Sequence, residues 1–272
     1  MSLVCIITAL PAESRVFIDA LKLRHVQTRG LRLYASEQYL LLQSGIGKLS
    51  AAAATAALLQ TRPDVTAVIN AGIAGGKAPV GSVHLAHRVL DAATGRQWFP
   101  HLPPQRTVSH LPTVNLHSVD QAARNYTDGI LFDMEAAGIF TAASTYLSSE
   151  AVQAVKVVSD NAEQPLESIT PELATRLMQS CLPVVQQLSD WHRARLQGSD
   201  EDNDIEHYSQ QLIASVRHSV SDAHQLRRLL QQYRTLLGDM PEAATLQQLA
   251  SARTIRSYLQ DAVQAAPLRY TL

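Results

Sequence analysis

The run Phe132-Asp133-Met134-Glu135-Ala136 and, after Val155-Lys156-Val157-Val158, the pair Ser159-Asp160 put two carboxylates, Glu135 and Asp160, where a buried helix start and a buried strand end would meet. One of them could hold a sugar and the other could donate a proton. A third acid, Glu13, stands where a first strand would pass into a first helix. Carboxylates at helix starts are ordinarily partners of the helix dipole, worth a few tenths of a kcal/mol and up to ~1. Each of the three admits that reading alone. All three, however, follow apolar strands, at the end where open α/β sheets keep their sites, and one pocket accounts for them better than three coincidences.

The elements that must position these acids are legible as alternating patterns. Leu3 to Ala9 is an unbroken apolar run of the kind expected from a strand covered on both faces, and Pro11 opens a helix with Val16, Ala20 and Leu23 on one stripe. Three short runs (His25 to Thr28, Leu31 to Ala35, Tyr39 to Gln43) suggest an antiparallel meander. Ser44-Gly45-Ile46-Gly47-Lys48 then opens an alanine-rich helix, Leu49 to Gln60. Val65 to Asn70 reads as a second buried strand that runs into a glycine-dense turn, Ala71-Gly72-Ile73-Ala74-Gly75-Gly76, where backbone can approach a ligand closely. Ser82 to Leu90 reads as a strand, and Ala92 to Pro112, with four prolines, has no clear period. Ile130 to Asp133, a helix from about Met134 to Tyr146, and Ala151 to Ser159 form a strand, helix, strand unit. Ile169 to Leu196 reads as a helix kinked at Pro183.

Several chemistries are excluded. A Walker A loop ending at Gly47-Lys48 would need glycine in place of Leu42 and a hydroxyl residue in place of Leu49. The turn Ala71 to Gly76 does not spell a dinucleotide fingerprint. There is no HExxH, CxxC or clustered Asp/His set, and no GxSxG, so neither a metal site nor a serine hydrolase is expected. With 46% hydrophobic and 17% charged residues over 272 positions, the chain must bury a large core. A formal net charge of -1 offers no general attraction for a polyanion. Cys5 and Cys181 read as small buried hydrophobes in a reducing compartment. The apolar start is too short for a secretory signal, and no run spans a bilayer, so the cytoplasm is the expected location.

In order along the chain, Ala9-Leu10-Pro11-Ala12-Glu13, Ser44-Gly45-Ile46-Gly47-Lys48, Asn70-Ala71-Gly72-Ile73-Ala74-Gly75-Gly76, Asp133-Met134-Glu135-Ala136 and Val158-Ser159-Asp160 resemble the nucleoside phosphorylase and nucleosidase superfamily, most of all its methylthioadenosine/S-adenosylhomocysteine nucleosidases. The resemblance covers about residues 1 to 196. It implies a mixed central sheet flanked by helices in three α/β/α layers, a purine nucleoside or thionucleoside as substrate, no cofactor, and a homo-oligomer, most simply a dimer. It also implies roles. Asp160 would protonate the departing base with Ser159 orienting it, Glu135 would accept from the ribose hydroxyls with Met134 packing on the sugar, and Glu13 would activate water. Gly72 and Ile73 would lie against the substrate, and Leu116 would line the base site. Ile73 stands where related nucleosidases carry a hydroxyl residue, and the stretch from Gly76 to Met134 is shorter than theirs. No arginine occupies the glycine segments, which favours water over phosphate as the nucleophile. A phosphorylase and a nucleoside binder without turnover remain the alternatives.

The chain beyond residue 197 differs in kind. Residues 198–204 read as an acidic linker and 205–272 as a helical appendage, with Leu226, Leu229, Leu230, Tyr233, Leu236 and Leu237 on one stripe and a turn at Gly238 and Pro241. Residues 207–272 hold seven arginines, no lysine and four acids, an excess of 7 - 4 = +3. Without aromatic interleaving or a binding motif, this reads as a solvated face rather than a nucleic-acid surface.

Overall fold

The structure, a computed structural model, describes residues 3–103 and 111–196, scattered positions between 208 and 249, and residues 251–265. The chain divides into two compact units, Met1–Leu196 and Gln197–Leu272.

The first unit is built on a ten-stranded mixed sheet. Strand β1 (Leu3–Thr8) pairs in parallel with β4 (Tyr39–Gln43) on one side and with β5 (Val65–Gly76) on the other. The meander β2 (Arg24–Val26), β3 (Arg32–Ala35) and β4 forms one edge. On the other side, β10 (Val152–Asp160) lies parallel to β5 and antiparallel to β6 (Val83–Asp91). Strand β6 then pairs in parallel with β8 (Thr113–Ser118), β8 with β9 (Ile130–Asp133), and β9 returns antiparallel to the end of β5. The pairings therefore close a ring, β5-β10-β6-β8-β9, beside the open part of the sheet. The two-residue β7 (Gln97–Trp98) pairs with β6.

Helices cover both faces, which is why the central strands are apolar throughout. Cys5 and Ile7 of β1 join one core cluster with Leu58 of α2 (Lys48–Thr61) and with Ile139 and Phe140 of α3 (Ala136–Ala143). Val4 and Ile6 point the other way, to Phe17 of α1 (Pro11–Ala20), Met178 of α4 (Pro171–Met178) and Leu188 of α5 (Leu182–Leu196). This is the three-layer α/β/α arrangement expected.

Three local expectations are corrected. Ala71 to Gly76 is not a turn: it continues β5, because β10 pairs with that stretch and β9 takes the two glycines at its end. Long-range partners overrode the local glycine signal. The helix expected over 169–196 is two helices with a tight turn, Gln179–Cys181, between them. Pro183 sits in the first turn of α5, where a missing N–H costs nothing. The third helix is shorter than expected, beginning only after Glu135.

In the second unit, Leu212, Leu226, Leu229, Leu230, Leu246, Ile255 and Leu259 form a separate apolar cluster. A helix at Ala252–Ala265 contributes the last two. Of the expected stripe, Leu226, Leu229 and Leu230 are buried and Tyr233 packs against them, whereas Leu237 is exposed. Leu236, Gly238 and the segment 198–204 lie outside the described residues. No helix among the described residues is long and apolar enough to cross a membrane.

Candidate active site

Glu13 is positioned by the chain reversal between β1 and α1. With Pro11 at the first helical position, the carboxylate reaches back so that Oε2 accepts from the amides of Ala9 (2.8 Å) and Leu10 (2.9 Å). Its other oxygen, Oε1, accepts from the amide of Ile73 at 2.9 Å, across the sheet on β5. A Cβ at position 72 would stand 2.9 Å from that oxygen, so Gly72 leaves the room Glu13 needs.

Glu135 occupies the N-cap position of α3 and accepts from the amide of Gly47, at the start of α2, at 2.8 Å. The start of α2 thus holds this carboxylate, which makes no capping hydrogen bond to its own helix. Burial, followed by the charge of neighbouring Asp133, pushes its pKa up to about 7. Asp133 is engaged elsewhere: it accepts from Ser118 Oγ at 2.6 Å and from the amide of Ala136 at 2.9 Å, and forms an ion pair with Lys156 Nζ at 2.8 Å. Lys156 is only 1% exposed. Burial disfavours its charge, but the attraction of Asp133, Glu135 and Glu13 outweighs burial and raises its pKa.

Asp160 ends β10. Its Oδ1 accepts from Ser159 Oγ at 2.5 Å and its Oδ2 from the hydroxyl of Tyr126. Tyr126 comes from the connection between β8 and β9.

Glu13, Glu135 and Asp160 line a single cavity of about 210 Å³, together with Ile73, Met134 and Ser159. Its apolar wall includes Val119, Ala122, Ala123, Phe132 and Leu166. Among the described residues every charged one lining the cavity is an acid, Asp133 being the fourth. Gly72 stands behind Glu13 rather than on the surface of the cavity. Leu116 is corrected outright: it is fully buried in β8 with its side chain in the core on the α2 and α3 side, and the segment just after β8 lines the cavity instead.

Three neighbours of these acids escaped the sequence reading. Lys156 carried a usable signal, since a lone lysine inside an apolar strand covered on both faces has to find a carboxylate. Asp133 was adjacent to the motif and passed over. Tyr126 carried none, because its segment has no period. Lys48, in the segment that fails the Walker A pattern, is paired with Asp91 at 2.6 Å and Asp120 at 2.9 Å.

Residues 3–124 match the model of the phosphorylase superfamily. The N-terminal unit has the phosphorylase-superfamily fold. The sequence match takes in Glu13 and Gly72 to Gly76 and stops before Glu135 and Asp160, while the structural likeness covers about 70% of the chain. A 5'-methylthioadenosine/S-adenosylhomocysteine nucleosidase from Colwellia psychrerythraea, solved with adenine, is 22% identical over 69% of this chain and 96% of its own, with a TM-score of 0.56. The 5'-methylthioadenosine nucleosidase of Arabidopsis thaliana is 19% identical over 69% and 95%, with a TM-score of 0.60. The futalosine hydrolase of Helicobacter pylori is 12% identical over 70% and 97%, with a TM-score of 0.59. No curated protein matches the chain by sequence.

Proposed function

We propose that the protein hydrolyses the N-glycosidic bond of a purine nucleoside or thionucleoside. The observation that carries this reading is the convergence of Glu13, Glu135 and Asp160 on one cavity with apolar walls and, among the described residues, no basic side chain. Breaking a bond between a sugar carbon and a base nitrogen passes through a cationic, oxocarbenium-like sugar, which nearby carboxylates stabilise, and it needs a proton for the leaving base. The three acids divide these tasks. Asp160, oriented by Ser159, gives the proton to the base. Glu135 accepts from the ribose hydroxyls, with Met134 against the sugar, and Glu13 directs water. Ile73 contributes its backbone amide to Glu13 where a side-chain hydroxyl is lacking.

Water is favoured over phosphate because Lys156, which acts on Glu135, and Lys48, next to Gly47, are already paired with aspartates. A phosphate dianion entering a wall whose charged groups are all carboxylates would meet repulsion. The likeness to solved structures of nucleosidases and of a futalosine hydrolase supports this reading.

The test is a panel of methylthioadenosine, S-adenosylhomocysteine, adenosine, inosine and guanosine, with and without phosphate, followed by product analysis. Free sugar formed without phosphate is the expected product. Sugar 1-phosphate would make the protein a phosphorylase, and binding without turnover would leave it a nucleoside binder.

A further inference from the structure

We propose that Tyr126 is a positioning residue for Asp160: its hydroxyl holds the carboxylate oxygen that an incoming base must engage, so only a base able to take over that place is protonated. The inference rests on the function proposed above.

Tyr126 lies on the connection between β8 and β9, the same connection whose Val119, Ala122 and Ala123 wall the cavity. Its ring packs against Phe132, centroids 6.3 Å apart. The ring rests on Gly75 of β5, where a Cβ would stand 2.8 Å from ring atom Cε1 and 2.7 Å from Asp160 Oδ2. Glycine at 75 is therefore what lets both the ring and the carboxylate occupy this corner.

The hydrogen bonds decide what Asp160 can do. Ser159 donates to Oδ1 and Tyr126 to Oδ2, so both oxygens act as acceptors and the group is arranged as a carboxylate with no proton to give. For Asp160 to carry a proton to a base nitrogen, Tyr126 must release Oδ2. It has somewhere to turn, because the carbonyl of Ala123 lies 3.3 Å from the same hydroxyl. Turning the O–H toward that carbonyl removes the donor from Oδ2, Asp160 takes a proton from solvent, and once the incoming base displaces the phenol hydroxyl from Oδ2 that proton passes to the base as the glycosidic bond breaks. Tyr126 keeps its own proton throughout. Burial, and then the bond to Asp160, hold the phenol above its ordinary range, so it remains a donor.

The other charged groups around this corner are few among the described residues. Arg124, on the same connection, pairs with Glu167 at 3.0 Å, and both act on Tyr126. Glu13 and Glu135 face the same cavity from β1–α1 and from the start of α3.

Tyr126→Phe keeps the ring and removes only the hydroxyl. In the full chain without ligand, the carbon-13 carboxyl resonance of Asp160, assigned by its loss in Asp160→Asn, is expected to titrate about ten-fold or more in proton affinity above the wild-type position, because a donor to the ionised form is gone. Adenine binding by calorimetry is expected to tighten about ten-fold, since no hydrogen bond has to be displaced. For a cleaved nucleoside, KM falls and the basic limb of the kcat/KM profile moves to higher pH. Tyr126→Leu should reproduce the titration shift without the ring. An unmoved Asp160 titration, or adenine binding that weakens while the titration stays in place, would overturn the inference and leave Tyr126 a packing residue. A shifted titration with tighter adenine binding and no nucleoside cleaved by either protein would support the placement of Tyr126 and sink only the proposed hydrolysis.

Discussion

The two ends of the cavity are held by different means. At the Glu13 and Glu135 end, main-chain amides of Ala9, Leu10, Ile73 and Gly47 fix the carboxylates, and the buried Lys156–Asp133 pair lies beside them. At the Asp160 end, two side-chain hydroxyls, from Ser159 and Tyr126, do the holding. Amides belong to strands and helix starts and cannot turn; hydroxyls rotate. A sugar has the same hydroxyls in every nucleoside and suits the fixed end, whereas a base must receive a proton, which requires an end that can change its hydrogen bonds.

The largest effect expected is chemical and belongs to the adjustable end. Asp160→Asn keeps the shape and loses the acid, so cleavage of a purine nucleoside should fall by ~10²- to 10⁴-fold. Thermal unfolding followed by circular dichroism should show the fold intact. A variant that cleaves at full rate would remove Asp160 from the mechanism.

The fixed end should fail by losing stability instead. Lys156→Met leaves Asp133 with no counter-charge in a site that water does not reach, and breaking a buried pair in this way typically costs about 3–5 kcal/mol. Urea unfolding measures it. A loss below ~1 kcal/mol would mean that the pair is solvated and that this end is no more rigid than the other.

This contrast also separates what could be read in the sequence from what could not. Glu13, Glu135 and Asp160 were legible because strand ends of an α/β sheet gather at one edge, so acids that follow three apolar runs must meet. The sheet itself was legible from its continuous apolar strands. What escaped depended on partners distant in sequence. The segment Ala71 to Gly76 looked like a turn until β10 and β9 paired with it. Leu116 was placed by alignment alone, whereas alternation along β8 sends its side chain into the core beside Val114. Tyr126 depends on how a connection without period folds over Gly75, which no local pattern specifies.

Titration distinguishes the fixed end further. The pKa of Glu135 is raised to about 7 in the folded chain, above its unfolded value of roughly 4.3. The folded state therefore binds this proton more tightly, and the stabilisation is complete below the unfolded value and lost as pH rises through 7. The span corresponds to about 4 kcal/mol at most. His192, buried against Gln153, has the opposite sign: its pKa is pushed down to about 4 by burial and then by Arg195, so stability is gained as pH rises from about 4 towards 6.5. Glu135→Gln isolates the first contribution. Relative to wild type, this variant should gain stability as pH goes from 5 to 8 in urea titrations, and a difference that stays flat with pH would show Glu135 to be solvated.

The smallest effect tests whether exposed charges help hold the adjustable end. Arg124 and Glu167 pair at 3.0 Å beside Tyr126, but both side chains are largely exposed. Surface pairs of this kind are worth ~0 to 1 kcal/mol and are screened by salt. Arg124→Ala should therefore change unfolding free energy by no more than about 0.5 kcal/mol and leave the Asp160 titration in place. If it instead moved that titration as far as Tyr126→Phe, the corner would be held by charge rather than by a rotating hydroxyl, and the distinction between a fixed and an adjustable end would give way to two electrostatically clamped ends.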